Sequence, residues 1–133
     1  MLLLASCLLT ATACDEKRTV GPSMPLNQQF ILPRGEILSI DQAAIRLQFV
    51  EVSGDSRCPA DAFCIQGGDA TVLVRVMDAG AAADYALHTG DSARAAATHR
   101  QLRIELVELA PYPFSGRTIA QDDYRATLKV TAP

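Results

Sequence analysis

Between Gln29 and Thr131 apolar side chains recur with a period of two, in runs cut every few residues by Gly, Pro, Asp and Ser. A period of two places alternate side chains on opposite faces of an extended chain, so these runs read as strands. They are Gln29 to Leu32, Glu36 to Ile40, Ala44 to Val52, Ala70 to Met77, Asp84 to His88, Arg94 to Thr98, Gln101 to Leu109 and Arg125 to Thr131. The alternation is plainest where Ala70, Val72, Val74 and Val76 face away from Thr71, Leu73 and Arg75, and where Leu102, Ile104 and Leu106 face away from Arg103 and Glu105. Helical spacing finds only Ala79 to Ala83 and Ala93 to Ala97, which are short and adjoin Gly80 and Gly90. The expected fold is all-β: an antiparallel sandwich, Ig-like or a partly closed barrel, of about 7–8 short strands.

Two of these runs resemble each other. Arg46 to Val52 and Arg103 to Leu109 repeat the order basic, apolar, polar, apolar, apolar, acidic, apolar. The adjacent apolar residues Phe49-Val50 and Leu106-Val107 break the alternating phase, as a β-bulge does. Each run enters a long loop, followed by a strand that starts Ala70-Thr71 or Ala126-Thr127. The pattern reads either as two similar strand–loop–strand units packed face to face, with their loops at one end, or as chance similarity among strands.

A chain of 133 residues allows one compact domain. Its net charge is −3 with Lys and Arg spread along the sequence, so no basic patch suggests a nucleic-acid partner. Trp is absent and aromatic residues make up 5%, which leaves little for a base- or sugar-stacking platform.

The first residues, Met1 to Cys14, are apolar, end in small side chains, and are followed by the charged run Asp15 to Arg18. Such a run is shorter than the roughly 20 residues a spanning helix needs. It resembles a bacterial lipoprotein signal peptide, in which Ala11, Thr12 and Ala13 precede the cysteine that receives the lipid. The resemblance implies lipidation at Cys14, with residues 1–14 as the signal segment; Leu4-Ala5-Ser6-Cys7 is a competing match to the same pattern. The membrane is thereby an expected partner through the N-terminal lipid, and the expected location is the cell envelope, facing the periplasm or exterior. Asp15 to Gln29 carry charge, Gly21, Pro22 and Pro25 without apolar periodicity, and read as a flexible tether ahead of a domain spanning residues 30–133.

With Cys7 and Cys14 assigned to the export segment, Cys58 and Cys64 remain, and in an oxidising compartment they are expected to pair. A metal or redox role and free thiols are the alternatives. The spacing has five intervening residues where thioredoxin-like chemistry uses two, and the chain has only two histidines, His88 and His99.

The loops are the expected functional elements, because loops vary without disturbing a sheet scaffold. The first, Ser53 to Asp69, joins the cysteines to Asp55, Arg57, Pro59, Asp61 and the pair Gly67-Gly68. The run Asp55-Ser56-Arg57-Cys58-Pro59, with Cys64, Ile65 and a glycine turn, resembles a segment of small bacterial lipoproteins that have no established activity. That resemblance implies a secreted, lipid-anchored β-domain. Asp55 and Arg57 read as a pair holding the loop to the sheet, or with Arg57 displayed to a partner. Asp55, Asp61 and Asp69 are oxygen donors, but their spacing does not fit an EF-hand. The second loop, Ala110 to Asp123, offers Tyr112 and Phe114, which either cap the core or form a small contact patch.

No catalytic set emerges. Ser56, Ser92 and Ser115 lack a nucleophile-elbow context, no glycine-rich phosphate loop opens a helix, and no cofactor or metal is expected. His88, His99 and Met77 as a copper site, and Glu51 with Glu108 as a carboxylate pair, are the weaker constellations. The expected function is a non-enzymatic, lipid-anchored envelope protein whose disulfide-braced loop binds an envelope protein partner or supports envelope structure. A protease inhibitor presenting the loop around Arg57, and a hydrolase with an unrecognised site, are the alternatives.

Overall fold

A computed structural model describes residues 22–133. Cys14, the signal segment and residues 15–21 of the expected tether lie outside the described residues. The elements are β1 (Ser23–Met24), β2 (Gln29–Pro33), β3 (Ile37–Ile40), β4 (Ile45–Asp55), β5 (Ala70–Asp78), β6 (Ala81–His88), β7 (Ala96–His99), β8 (Leu102–Ala110), a 3-10 turn at Gln121–Asp123, and β9 (Arg125–Thr131). They form two open sheets, ordered β1-β3-β4-β5-β6 and β2-β9-β8-β7. The architecture is a sandwich, and the partly closed barrel is set aside.

All eight runs with period-two alternation are strands, and the Ala79 to Ala83 segment is a turn leading into β6 rather than a helix. The ninth strand, β1, went unread because two residues carry no periodicity. It pairs parallel with β3, the one departure from antiparallel order. Ser39 donates to the Pro22 carbonyl, Asp41 to Met24 and Asn27 to Val130, while Met24 and Leu26 pack against the core. The described fold therefore already includes Pro22, ahead of the boundary expected at Phe30.

The core is the interleaved inner faces of the two sheets. Val72, Val74 and Val76 of β5 and Phe49 and Leu47 of β4 meet Ile104, Ala126 and Leu128 of the other sheet, all fully buried. Each large side chain buried in this way contributes about 1.5–3 kcal/mol. Both expected bulges are present: register shifts between Phe49 and Glu51 against β5, and between Leu106 and Glu108 against β9. Buried positions accordingly jump by three, from Phe49 to Val52 and from Leu106 to Leu109. The extra residue keeps the inner face apolar while bending each strand.

The two strand–loop–strand units lie on opposite sheets with their loops at one end. The pairing corrects one detail. Phe49 pairs with Val74 and Leu106 with Leu128, so Ala126-Thr127 is the counterpart of Val72-Leu73, not of Ala70-Thr71.

Candidate functional site

Strand β7 ends early, and this determines the chemistry of the loop end. It pairs with β8 only from Leu102 to Glu105, and the last strand-like bond on that edge runs from the Leu106 amide to the Ala95 carbonyl. Further along, the Arg57 guanidinium takes the place of a strand: Nη1 donates to the Leu109 carbonyl at 2.7 Å and Nη2 to the Pro111 carbonyl at 3.0 Å. Carbonyls two residues apart on an extended chain point to the same edge, which suits a planar fork of donors. Two further donors are held by Asp55, with Nε to Oδ1 at 2.9 Å and Nη2 to Oδ2 at 2.7 Å. The Tyr112 ring lies 5.2 Å from the guanidinium carbon. The Arg57 side chain is 4% exposed and that of Asp55 12%.

This burial decides between the two readings of Arg57. It is a clamp that ties the first loop to the second and is not displayed, so a protease has no basic side chain to grip there. Arg57 itself is thereby corrected as a displayed contact residue. A buried ion pair is tolerated only when its remaining hydrogen-bonding capacity is filled, and here two carbonyls and a phenol fill it. Burial pushes the Asp55 carboxyl up, but the hydrogen bonds from Arg57 and Tyr124 and the Arg57 charge outweigh it and hold the group below the usual carboxylate range. For Tyr124, whose hydroxyl donates to Asp55 Oδ2 at 2.9 Å, burial and the adjacent carboxylate push the pKa up to about 12.

The titration of Tyr124 has a stability consequence. Its folded pKa exceeds the ordinary value of about 10, so its contribution is complete below about pH 10 and is lost as pH climbs through about 12. The wild type is expected to lose stability in that alkaline window beyond the loss seen in Tyr124→Phe. The variant itself is expected to be less stable at pH 7 by about 1.5–3 kcal/mol, from the missing bond to a charged acceptor. Urea titrations at pH 7 and at closely spaced alkaline pH values check both effects.

The rest of the first loop is held from several sides. The Ser56 amide donates to Asp69 and that of Cys58 to Gly67, at 2.7 and 3.0 Å, so the loop begins as a narrow two-rung ladder. The Ala60 amide reaches the Pro113 carbonyl at 2.8 Å, and Asp61 Oδ1 accepts from the Ser115 amide at 2.9 Å, fastening the loop to its neighbour. Pro59 closes a turn by accepting from the Ala62 amide. Cys58 and Cys64 are joined by a disulfide, with 5.9 Å between their Cα atoms. A covalent ring this short removes about 2 kcal/mol of loop-closure entropy. The Cys58→Ser/Cys64→Ser double variant is therefore expected to stay folded with a loss of about 2 kcal/mol, readable as a shifted urea midpoint with an unchanged slope.

What the brace presents is apolar. Phe63 and Ile65 are fully exposed, one inside the ring and one just beyond it. Neither stood among the candidate contact residues of the sequence reading. A signal was available, since a ring with five residues between its cysteines is too small to fold its own phenylalanine under the sheets. Tyr112 and Phe114, read as caps or contact residues, are 55% and 48% exposed. They do not close the core; Tyr124, at 4% exposure, does. Beside the finger, an open concavity of about 740 Å³ runs between Gly67-Gly68 and the Val107-Glu108 bulge.

The other constellations come apart. Asp55, Asp61 and Asp69 each have separate partners, and Asp69 binds His88 Nδ1 and the Gly90 amide, at 2.6 and 2.8 Å. No group of three potential metal-binding residues converges among the described residues. His88 meets Asp69 just before β5, whereas His99 is held by Asp78 at the end of β5 and by the Tyr85 hydroxyl, at 2.7 and 2.9 Å. The two histidines therefore sit at opposite ends of that strand and form no copper pair with Met77. Each ties strand ends together, and neither bonds a serine hydroxyl among the described residues. Glu51 and Glu108 lie exposed at the two bulges, on different sheets.

The arrangement can hold a rigid apolar protrusion; it has no assembled nucleophile, base or metal cage among the described residues. Comparison of the chain with family models, with curated proteins and with solved structures finds no significant match.

Proposed function

We propose that this chain is an exported, lipid-anchored, non-enzymatic envelope protein whose β-sandwich carries a disulfide-braced finger as its contact element. The observation that carries this reading is the contrast within one loop: its base is locked by Arg57, the backbone ladder and the disulfide, while Phe63 and Ile65 stand in solvent. Two apolar side chains held rigidly in water serve a contact better than they serve folding, because ordering has been met before the contact forms. The export and anchoring part rests on the Met1 to Cys14 segment and on a disulfide of the kind that persists outside the reducing cytosol.

Photo-crosslinking in intact envelopes tests the reading, with the reactive group placed at position 63 or, as a comparison, at Ala79 in the exposed β5–β6 turn. Products from position 63 well above those from position 79 are expected, together with palmitate labelling that disappears in Cys14→Ser. Equal products from the two positions would remove the finger from the function, and labelling that survives Cys14→Ser would remove the anchor.

A further inference from the structure

The finger, the direction of β1 and the length of chain ahead of it identify what the finger touches. Strand β1 runs parallel to β3, and β3 runs antiparallel to β4, which leads into the disulfide loop. Pro22, the first described residue, therefore stands on the finger side of β1. Pro22 is bonded at the level of Ser39, which pairs with Arg46 and through it with Met77. From there to Ala70 the strand rises about 20–25 Å at roughly 3.3 Å per residue, and the two-rung base of the finger extends it further. The eight steps from Cys14 to Pro22 span at most about 29 Å. Fully extended, that segment matches the rise to the base of the finger, so a protein acylated at Cys14 can present its finger end to the bilayer that carries its lipid.

The finger is built for that surface. From Cys58 to Gly68 the only charged side chain is Asp61, and its carboxylate is already engaged by the Ser115 amide. The tip thus carries one charge, an exposed carboxylate that has to stay hydrated at the headgroup level while the apolar side chains enter. Phe63 and Ile65 protrude, with Tyr112 and Phe114 half exposed on the adjoining loop; a tyrosine ring favours the headgroup level of a membrane, and apolar side chains beside it can enter just below. A weak contact suffices, because tethering makes it intramolecular and raises its effective concentration.

We propose that Phe63 and Ile65 form a second, shallow membrane contact, inserting at the bilayer interface and fixing the orientation of the anchored sandwich. This inference rests on the reading of the chain as a lipid-anchored protein and adds the bilayer as the surface that the finger meets. The absence of Trp from the sequence supplies a clean probe. Phe63→Trp replaces an exposed ring by another, and Ala79→Trp marks the opposite end. Full chain purified from cells, its acylation read by mass, is placed in phosphatidylethanolamine/phosphatidylglycerol vesicles with or without brominated acyl chains.

The expected result is blue-shifted emission from Phe63→Trp that loses intensity with brominated lipid, while Ala79→Trp responds to neither. Unquenched emission from Phe63→Trp in acylated chain would overturn the membrane contact and leave the anchor standing, and crosslinks from position 63 to protein would then name a protein partner instead. Equal quenching at both positions would also overturn it. If the mass shows no acyl group, the anchor fails, and the contact is judged on that same chain with vesicles in excess: quenching confined to position 63 sustains it and its absence rejects it.

Discussion

Arg57→Ala is expected to be the most damaging single change in the loop region, lowering stability by about 3–5 kcal/mol. The guanidinium fills two carbonyls and both oxygens of Asp55 in a nearly water-free setting. Removing it strands the carboxylate and the Leu109 and Pro111 carbonyls, so the penalty is that of an uncompensated buried charge together with unmet acceptors. Against a typical domain stability of about 5–15 kcal/mol this brings the protein close to unfolding at ordinary temperature. Arg57→Lys should recover part of the loss, since an ammonium is a single point charge and cannot reproduce the planar fork. Asp55→Ala combined with Arg57→Ala should cost less than the sum of the single changes, because each removes what the other leaves unpaired. Urea unfolding of the wild type and the four variants checks this. A loss for Arg57→Ala below about 1 kcal/mol, the range of an exposed ion pair, would contradict the clamp.

The second large effect is expected at Gly68. Its φ is +70°, a backbone region that costs a side-chain-bearing residue strain, and a Cβ there would collide with the Ser56 carbonyl oxygen. Gly90 continues the same close stack, since its added Cβ would run into the Gly68 carbonyl. The obstacles are backbone atoms on both levels, so no side chain can swing aside. Gly68→Ala is expected to cost about 2–4 kcal/mol, and thermal unfolding at neutral pH measures it. Gly67→Ala is the comparison: a Cβ at Gly67 has open space around it, and its effect should stay within about 1 kcal/mol.

These two residues show how far the sequence was legible. The strand pattern was readable because one face of each sheet is buried, which enforces alternation in runs such as Val72, Val74 and Val76. The bulges were readable for the same reason: a misplaced phase at Phe49-Val50 or Leu106-Val107 would otherwise turn the apolar face to water. The Asp55–Arg57 pairing was legible from their spacing, and the disulfide from the export reading that left Cys58 and Cys64 as the remaining cysteines. The clamp's acceptors did not, because the Leu109 and Pro111 carbonyls are backbone atoms left open by the short β7, and backbone vacancies leave no mark in side-chain identity. Tyr124 was missed because it belongs to the far end of the second loop and meets Asp55 only through the packing of the two sheets. Phe63 was missed because an apolar residue next to a cysteine reads as core until the size of the ring is considered.

A finger that serves as a contact element must be ordered before it touches anything. Hydrogen exchange of the isolated, oxidised protein addresses that point residue by residue. Slow exchange is predicted for the amides of Ser56, Cys58 and Ala60, which donate to Asp69, Gly67 and Pro113, at rates approaching those within β4 and β5. Exchange of these three amides at the rate of an unstructured chain, with β4 and β5 protected, would show a loop that is loose in the free protein and would contradict the claim.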